Sequence, residues 1–175
     1  MVYPLFGGFK VFIPSAGILH GLYVPPDKSY RVVPPTGWEI IPGGDGTVEF
    51  RSRLADQGYW PCMLISREPA PGSQPIEPEE EAEINALAAQ DRQGFRFVSG
   101  ELMDLPFGKA YLVIYEHTFE KLRMRTAEAH FVQNGRRYWV PFNAFATTFD
   151  RQFPAYLNCL KTFAPLGTRN SQVCN

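Results

Sequence analysis

AEAHFVQNGRRYWVPFN, residues 127–143, decides how this chain folds. Asn134-Gly135 supplies the positive φ angles that a two-residue type I′ turn demands, and the flanking side chains suit paired strands. The stretch predicts a β-hairpin with Phe131 opposite Tyr138, His130 opposite Trp139 and Ala129 opposite Val140. One face then carries Ala127, Ala129, Phe131, Tyr138, Val140 and Phe142, which reads as core. The other carries Glu128, His130, Arg137 and Trp139, a mixed aromatic and polar surface.

Upstream, Lys109–Phe119 and Leu122–Val132 read as a second strand pair around Glu120-Lys121. If those two residues form the whole turn, Glu116 faces Arg125 as an opposite-charge cross-strand pair. Tyr111, Tyr115 and His117 then join Glu128 and His130 on the mixed face; a three-residue turn shifts that grouping. The run from Tyr111 to Tyr115 is apolar on both faces, as in a strand covered on both sides. Phe95–Met103 precedes it through a turn at PFG, residues 106–108.

Further out, GWEII from Gly37, then Thr47–Ser52 and Tyr59–Arg67 read as strands, with GGDG at 43–46 as a turn. A helix follows Pro78, with Glu79, Glu80 and Glu81 at the positive end of its dipole, an apolar stripe of Ile84, Leu87 and Ala88, and Gly94 as a stop. The last element is a helix whose Phe149, Phe153, Tyr156, Leu157 and Leu160 share one face, capped by Asp150, with Pro154 in its first turn. Before all this, residues 1–36 are punctuated by proline and hold short strand candidates at Lys10–Ile13 and Ile18–Val24. The organisation expected is an extension over residues 1–30 wrapped on a domain of residues 31–164, then a tail of residues 165–175.

Composition narrows the function classes. Hydrophobic residues make up 45 % of the 175 and aromatic ones 14 %, enough for a substantial core. A net charge of −1 gives no basic footprint for nucleic acid. Prolines, glycines and Lys10 interrupt the apolar N-terminus, which is therefore no membrane span. With Met1 as the native start the expected location is cytoplasmic; with an export signal removed it is periplasmic or luminal. Cys159 and Cys174 either pair in an oxidising compartment or remain idle thiols.

Catalytic patterns are missing from the sequence. It contains no nucleophile elbow, phosphate loop, HExxH or dinucleotide fingerprint, so no cofactor and no enzyme activity are expected. His117 and His130 fall about six residues apart along the sheet, roughly 20 Å, too far to share an ion. No metal site is expected. The leading reading is a protein-binding surface drawn from Tyr59, Trp60, Arg123, Arg125, Arg136 and Arg137, since aromatic residues and arginines suit interfaces. The alternative is a small-ligand or enzyme pocket at Tyr111, Glu128, His130 and Trp139.

PPTGWEI, GELMDLPFGKAYLVIYEH and NGRRYWVPFNAFATTFDRQFPAYLNCLKTF together resemble the PsbP-like and Mog-like superfamily, over about residues 30–164. The resemblance implies an α+β fold, an α/β/α sandwich with a central antiparallel sheet. It also implies a non-catalytic binding or adaptor role. Members include a Ran-binding nuclear import factor, extrinsic photosystem II subunits, bacterial lipoproteins and adaptor chaperones for type VI secretion effectors. The chain lacks the lipobox cysteine of the lipoprotein branch, and no partner-contacting residue carries over.

Overall fold

The order of turns and strands builds a meander that two helices cover. A computed structural model describes residues 21–56, 58–70, 78–90 and 92–166. In chain order its elements are β1 (Tyr30–Arg31), β2 (Trp38–Pro42), β3 (Val48–Ser52), β4 (Cys62–Pro69), α1 (Pro78–Ala89), β5 (Arg96–Leu105), β6 (Gly108–Phe119), β7 (Leu122–Gln133), β8 (Arg136–Phe145), α2 (Phe149–Thr162) and β9 (Ala164–Pro165). Strands β2 to β8 form one antiparallel sheet in the order β2-β3-β4-β8-β7-β6-β5.

The turns set the register. Asn134 and Gly135 hold φ of 52° and 71°, and they place Phe131 opposite Tyr138, His130 opposite Trp139 and Ala129 opposite Val140. Glu120 and Lys121, also at positive φ, form the two-residue turn that sets Glu116 opposite Arg125 and His117 opposite Met124. Because side chains alternate, that register assigns every residue of β6–β8 to a face.

One face forms the main core. Ala127, Ala129, Phe131, Tyr138, Val140 and Phe142 are fully buried there against Phe149, Tyr156, Cys159 and Leu160 of α2. The Tyr156 ring stacks on Phe142 at 5.3 Å, and its hydroxyl donates to the Val140 carbonyl at 2.8 Å. On the opposite face Ile84 and Ala88 of α1 pack on Tyr111, Val113 and Tyr115. A helix on each face of an antiparallel sheet is an α+β, α/β/α sandwich.

Tyr23, Tyr30 and Val32 lie inside the main core. Tyr30 stacks on Phe163 at 4.9 Å, and β1 pairs with β9 in a small sheet of its own. Asp27 ties this ribbon down through Arg67 at 2.6 Å and Arg136 at 2.9 Å. Residues 21–30 thus contribute core and ion pairs rather than only lying on the outside.

Several local expectations are corrected. The strand expected from Tyr59 starts at Cys62, because Asp56 and Tyr59 close a tight turn of their own by exchanging both backbone hydrogen bonds. Leu87 is 54 % exposed and outside the apolar stripe of α1. Thr148 holds the N-cap position of α2 with no side-chain cap, and Asp150 pairs with Arg125 instead. Pro154 lies in the second turn of α2, where its missing N–H leaves the carbonyl four residues back without that donor. The strand candidate at Lys10–Ile13, most of that at Ile18–Val24, and Cys174 lie outside the described residues.

Candidate functional site

The mixed face of the hairpin becomes a closed polar cluster. Register places Tyr111, His130 and Trp139 in one row across β6, β7 and β8, with Glu128 two residues along β7 on the same face. Glu128 is 4 % exposed. It accepts from the Tyr115 hydroxyl at 2.5 Å and from Arg92 Nη2 at 3.4 Å, and His130 Nε2 lies 3.3 Å from its other oxygen. Arg92 lies over the Tyr115 ring at 4.6 Å and also donates to the Ala88 carbonyl, which fastens the end of α1 to the sheet. Asn85 of α1 and the Tyr111 hydroxyl bond at 2.9 Å.

The electrostatics follow from that closure. Burial works to raise the Glu128 pKa, but the hydrogen bond and charge of His130, the Tyr115 hydroxyl and Arg92 together bring it below the ordinary carboxylate value. Burial, then the charge of Glu128, raises the Tyr115 hydroxyl well above its ordinary value. Burial and the Arg92 charge lower His117. The lowered value keeps this carboxylate ionised at neutral pH although it is buried. The Trp139 indole nitrogen is buried with no acceptor among the described residues.

A second cluster lies on the α2 side of the sheet. Glu116, 4 % exposed, collects Arg96 from β5 at 2.8 Å and Arg123 and Arg125 from β7, each at 2.8 Å. Arg123 donates Nε and Nη2 to one carboxylate oxygen, and Arg125 donates Nε and Nη2 to the other. Hydrogen bonds led by Arg96 outweigh burial and hold the Glu116 pKa down to about 2. Arg125 reaches on to Asp150 at 3.1 Å and lies over the Phe149 ring at 5.4 Å.

The remaining residues of the expected protein-binding surface are scattered. Arg136 is bound to Asp27, and Arg137 to Glu80 of α1 at 2.6 Å on the opposite face. Tyr59 is half-buried against Phe145, while Trp60 is 48 % exposed. Burial pushes the Cys62 thiol up to about 11, so it is protonated at neutral pH. Two concavities stand out elsewhere. One of about 640 Å³ lies between the β3–β4 loop and α2, lined by Trp38, Leu54, Asp56 and Arg151. The other, about 200 Å³, is lined by Tyr23, Asp27 and Arg67. Among the described residues no group of three or more His, Cys, Asp or Glu is placed to hold a metal ion, and no helix is long and apolar enough to cross a membrane.

No protein-family model matches the chain, and no curated protein matches it. Solved structures do. A protein from Bacteroides thetaiotaomicron superposes over 83 % of this chain with a TM-score of 0.62 at 11 % identity, and the chain spans only 48 % of that protein. The cyanobacterial PsbP (CyanoP) of Synechocystis matches 93 % of this chain and 99 % of its own, with a TM-score of 0.59 at 12 % identity. The Saccharomyces cerevisiae Ran-binding protein Mog1p matches 83 % of this chain and 95 % of its own, with a TM-score of 0.58 at 9 % identity. The chain has the PsbP/Mog-like fold.

At such identities the likeness is one of fold, and function rests on the sites. Within this PsbP/Mog-like sandwich the register read for a two-residue turn at Glu120-Lys121 already pairs Glu116 with Arg125. It does not reveal Arg96, whose strand carries an irregularity between Phe97 and Ser99. Nor does any local signal announce Asp27, because its partners Arg67 and Arg136 are distant in sequence.

Proposed function

We propose that this chain is a non-catalytic protein-binding protein of an adaptor or assembly kind. One observation carries the reading: the groups suited to acid–base chemistry, Tyr115, Glu128 and His130, bond one another beneath α1, whereas Arg96 and Arg123 stay 59 % and 49 % exposed and already oriented. Ordered, half-exposed guanidiniums suit recognition because little freedom remains to be lost on binding. The fold it shares with a Ran-binding protein supports a binding role.

The test is a tagged pull-down from the source lysate with mass spectrometry. A stoichiometric protein partner is the expected result. A second reading, a small ligand held near His130, draws support from the Trp139 indole nitrogen, which has no acceptor among the described residues. A metabolite that co-purifies in place of any protein, and is lost in Trp139→Phe, would favour that reading over the first.

A further inference from the structure

Three arginines converging on one buried carboxylate are more than that carboxylate needs. Arg96 and Arg123 share the same Glu116 oxygen, while Arg125 binds the other and also Asp150. Three guanidiniums against Glu116 and Asp150 leave the bonded cluster a surplus of one positive charge. The nitrogens Arg96 Nη1 and Arg123 Nη1 have no acceptor among the described residues.

Asp150 shows what such a nitrogen accepts. Its carboxylate is 85 % exposed, yet it meets the outer nitrogen of Arg125 at 3.1 Å, behind the two nitrogens already given to Glu116. Arg96 and Arg123 offer the same outer edge and have no such carboxylate among the described residues. Strand spacing sets their backbones about 12 Å apart, but their heads meet at a single oxygen. The open edges are therefore close enough for two carboxylates on neighbouring turns of a helix, about 5–6 Å apart, or on alternate residues of a strand.

We infer that the Arg96–Arg123 edge of the Glu116 cluster docks an acidic segment of a partner protein, with two partner carboxylates taking the positions that Asp150 takes on Arg125. This rests on the protein-binding reading above. A nucleic-acid backbone fits less well, since its continuous charge asks for an extended basic stripe. Here the surplus is small, Asp150 and Glu116 lie within it, and the chain carries a net charge of −1.

Fluorescein-labelled octaglutamate, followed by fluorescence anisotropy against the full chain at low salt, tests the inference directly. The wild type should bind it, and the double variant Arg96→Gln/Arg123→Gln should bind about tenfold more weakly. Arg31→Gln, which removes an exposed arginine on β1, should bind as the wild type does. Thermal melting of each variant confirms that it is folded. Equal binding by the double variant overturns the inference, as does equally tight binding of an oligothymidylate of the same length. The two readings fail separately. A lysate partner retained undiminished by the double variant would overturn the acidic-docking inference and leave the protein-binding reading standing. Arginine-dependent octaglutamate binding without any lysate partner would support the docking chemistry and count against that reading.

Discussion

The Tyr115 hydroxyl donates to Glu128 across 2.5 Å, from β6 to β7 and beneath α1. Both side chains are almost fully covered. Removing the donor as Tyr115→Phe should destabilise the chain by about 1–3 kcal/mol, the cost of a buried charged acceptor losing a partner. Urea denaturation would show a lower midpoint with an unchanged slope. An unchanged midpoint would mean that Arg92 and His130 suffice for Glu128.

Two buried tyrosines should respond in opposite directions to the same change. The Tyr156 hydroxyl is bonded to the Val140 carbonyl at 2.8 Å, whereas the buried Tyr30 hydroxyl has no hydrogen-bond partner among the described residues. Tyr156→Phe should cost about 1 kcal/mol, and Tyr30→Phe should be neutral or stabilising by a few tenths. Paired melting curves decide it; a loss of equal size at both sites would refute the contrast.

The Asn134-Gly135 turn carries the register of the largest strand pair. Both residues occupy the left-handed region, which costs an ordinary side chain about 1–2 kcal/mol each. Replacement by Val-Val should therefore remove about 2–4 kcal/mol without touching any core contact. Chemical denaturation measures this, and unaltered stability would contradict the turn geometry.

Glu116 gives stability a specific pH dependence. Its pKa falls from the ordinary 4.5 to about 2 because Arg96, Arg125 and Arg123 bond the ionised form. A lowered native pKa means that the unfolded chain takes up the proton first. The contribution is therefore complete above about 4.5 and is lost as pH falls towards about 2. Screening around the half-exposed arginines limits it to about 1–2 kcal/mol. The variant Glu116→Gln should unfold with a shallower dependence between those two pH values, by circular dichroism. A slope equal to the wild type's would assign the acid sensitivity to other groups.

Legibility in the sequence tracked the distance between partners. Asn134-Gly135 is an adjacent pair whose turn geometry fixes ten residues on each side, so the register of β7–β8 and both its faces could be read directly, whereas the nine pairs of β6–β7 depended on Glu120-Lys121 being a two-residue rather than a three-residue turn. Among its described residues the helix α1 offers Ile84 and Ala88 to the core, too little pattern to say what it covers. The Glu128 cluster follows from that unread placement, since Arg92 arrives with the end of α1. Arg136 was legible as a hairpin arginine, but its partner Asp27 lies 109 residues away and belongs to no periodic element.

The stacking of Tyr30 on Phe163 bears on the order in which the chain can acquire its structure. The meander of β5–β8 is local and can form early, since each strand pairs with its neighbour in sequence. Tyr30 and β1 must wait until Phe163 and β9 have been synthesised, more than a hundred residues later. A nascent chain therefore holds its early aromatic residues unshielded for most of its synthesis, and the closure entropy of that long loop falls on one of the last steps. Folding kinetics should show it as a late phase that a truncation before residue 163 abolishes.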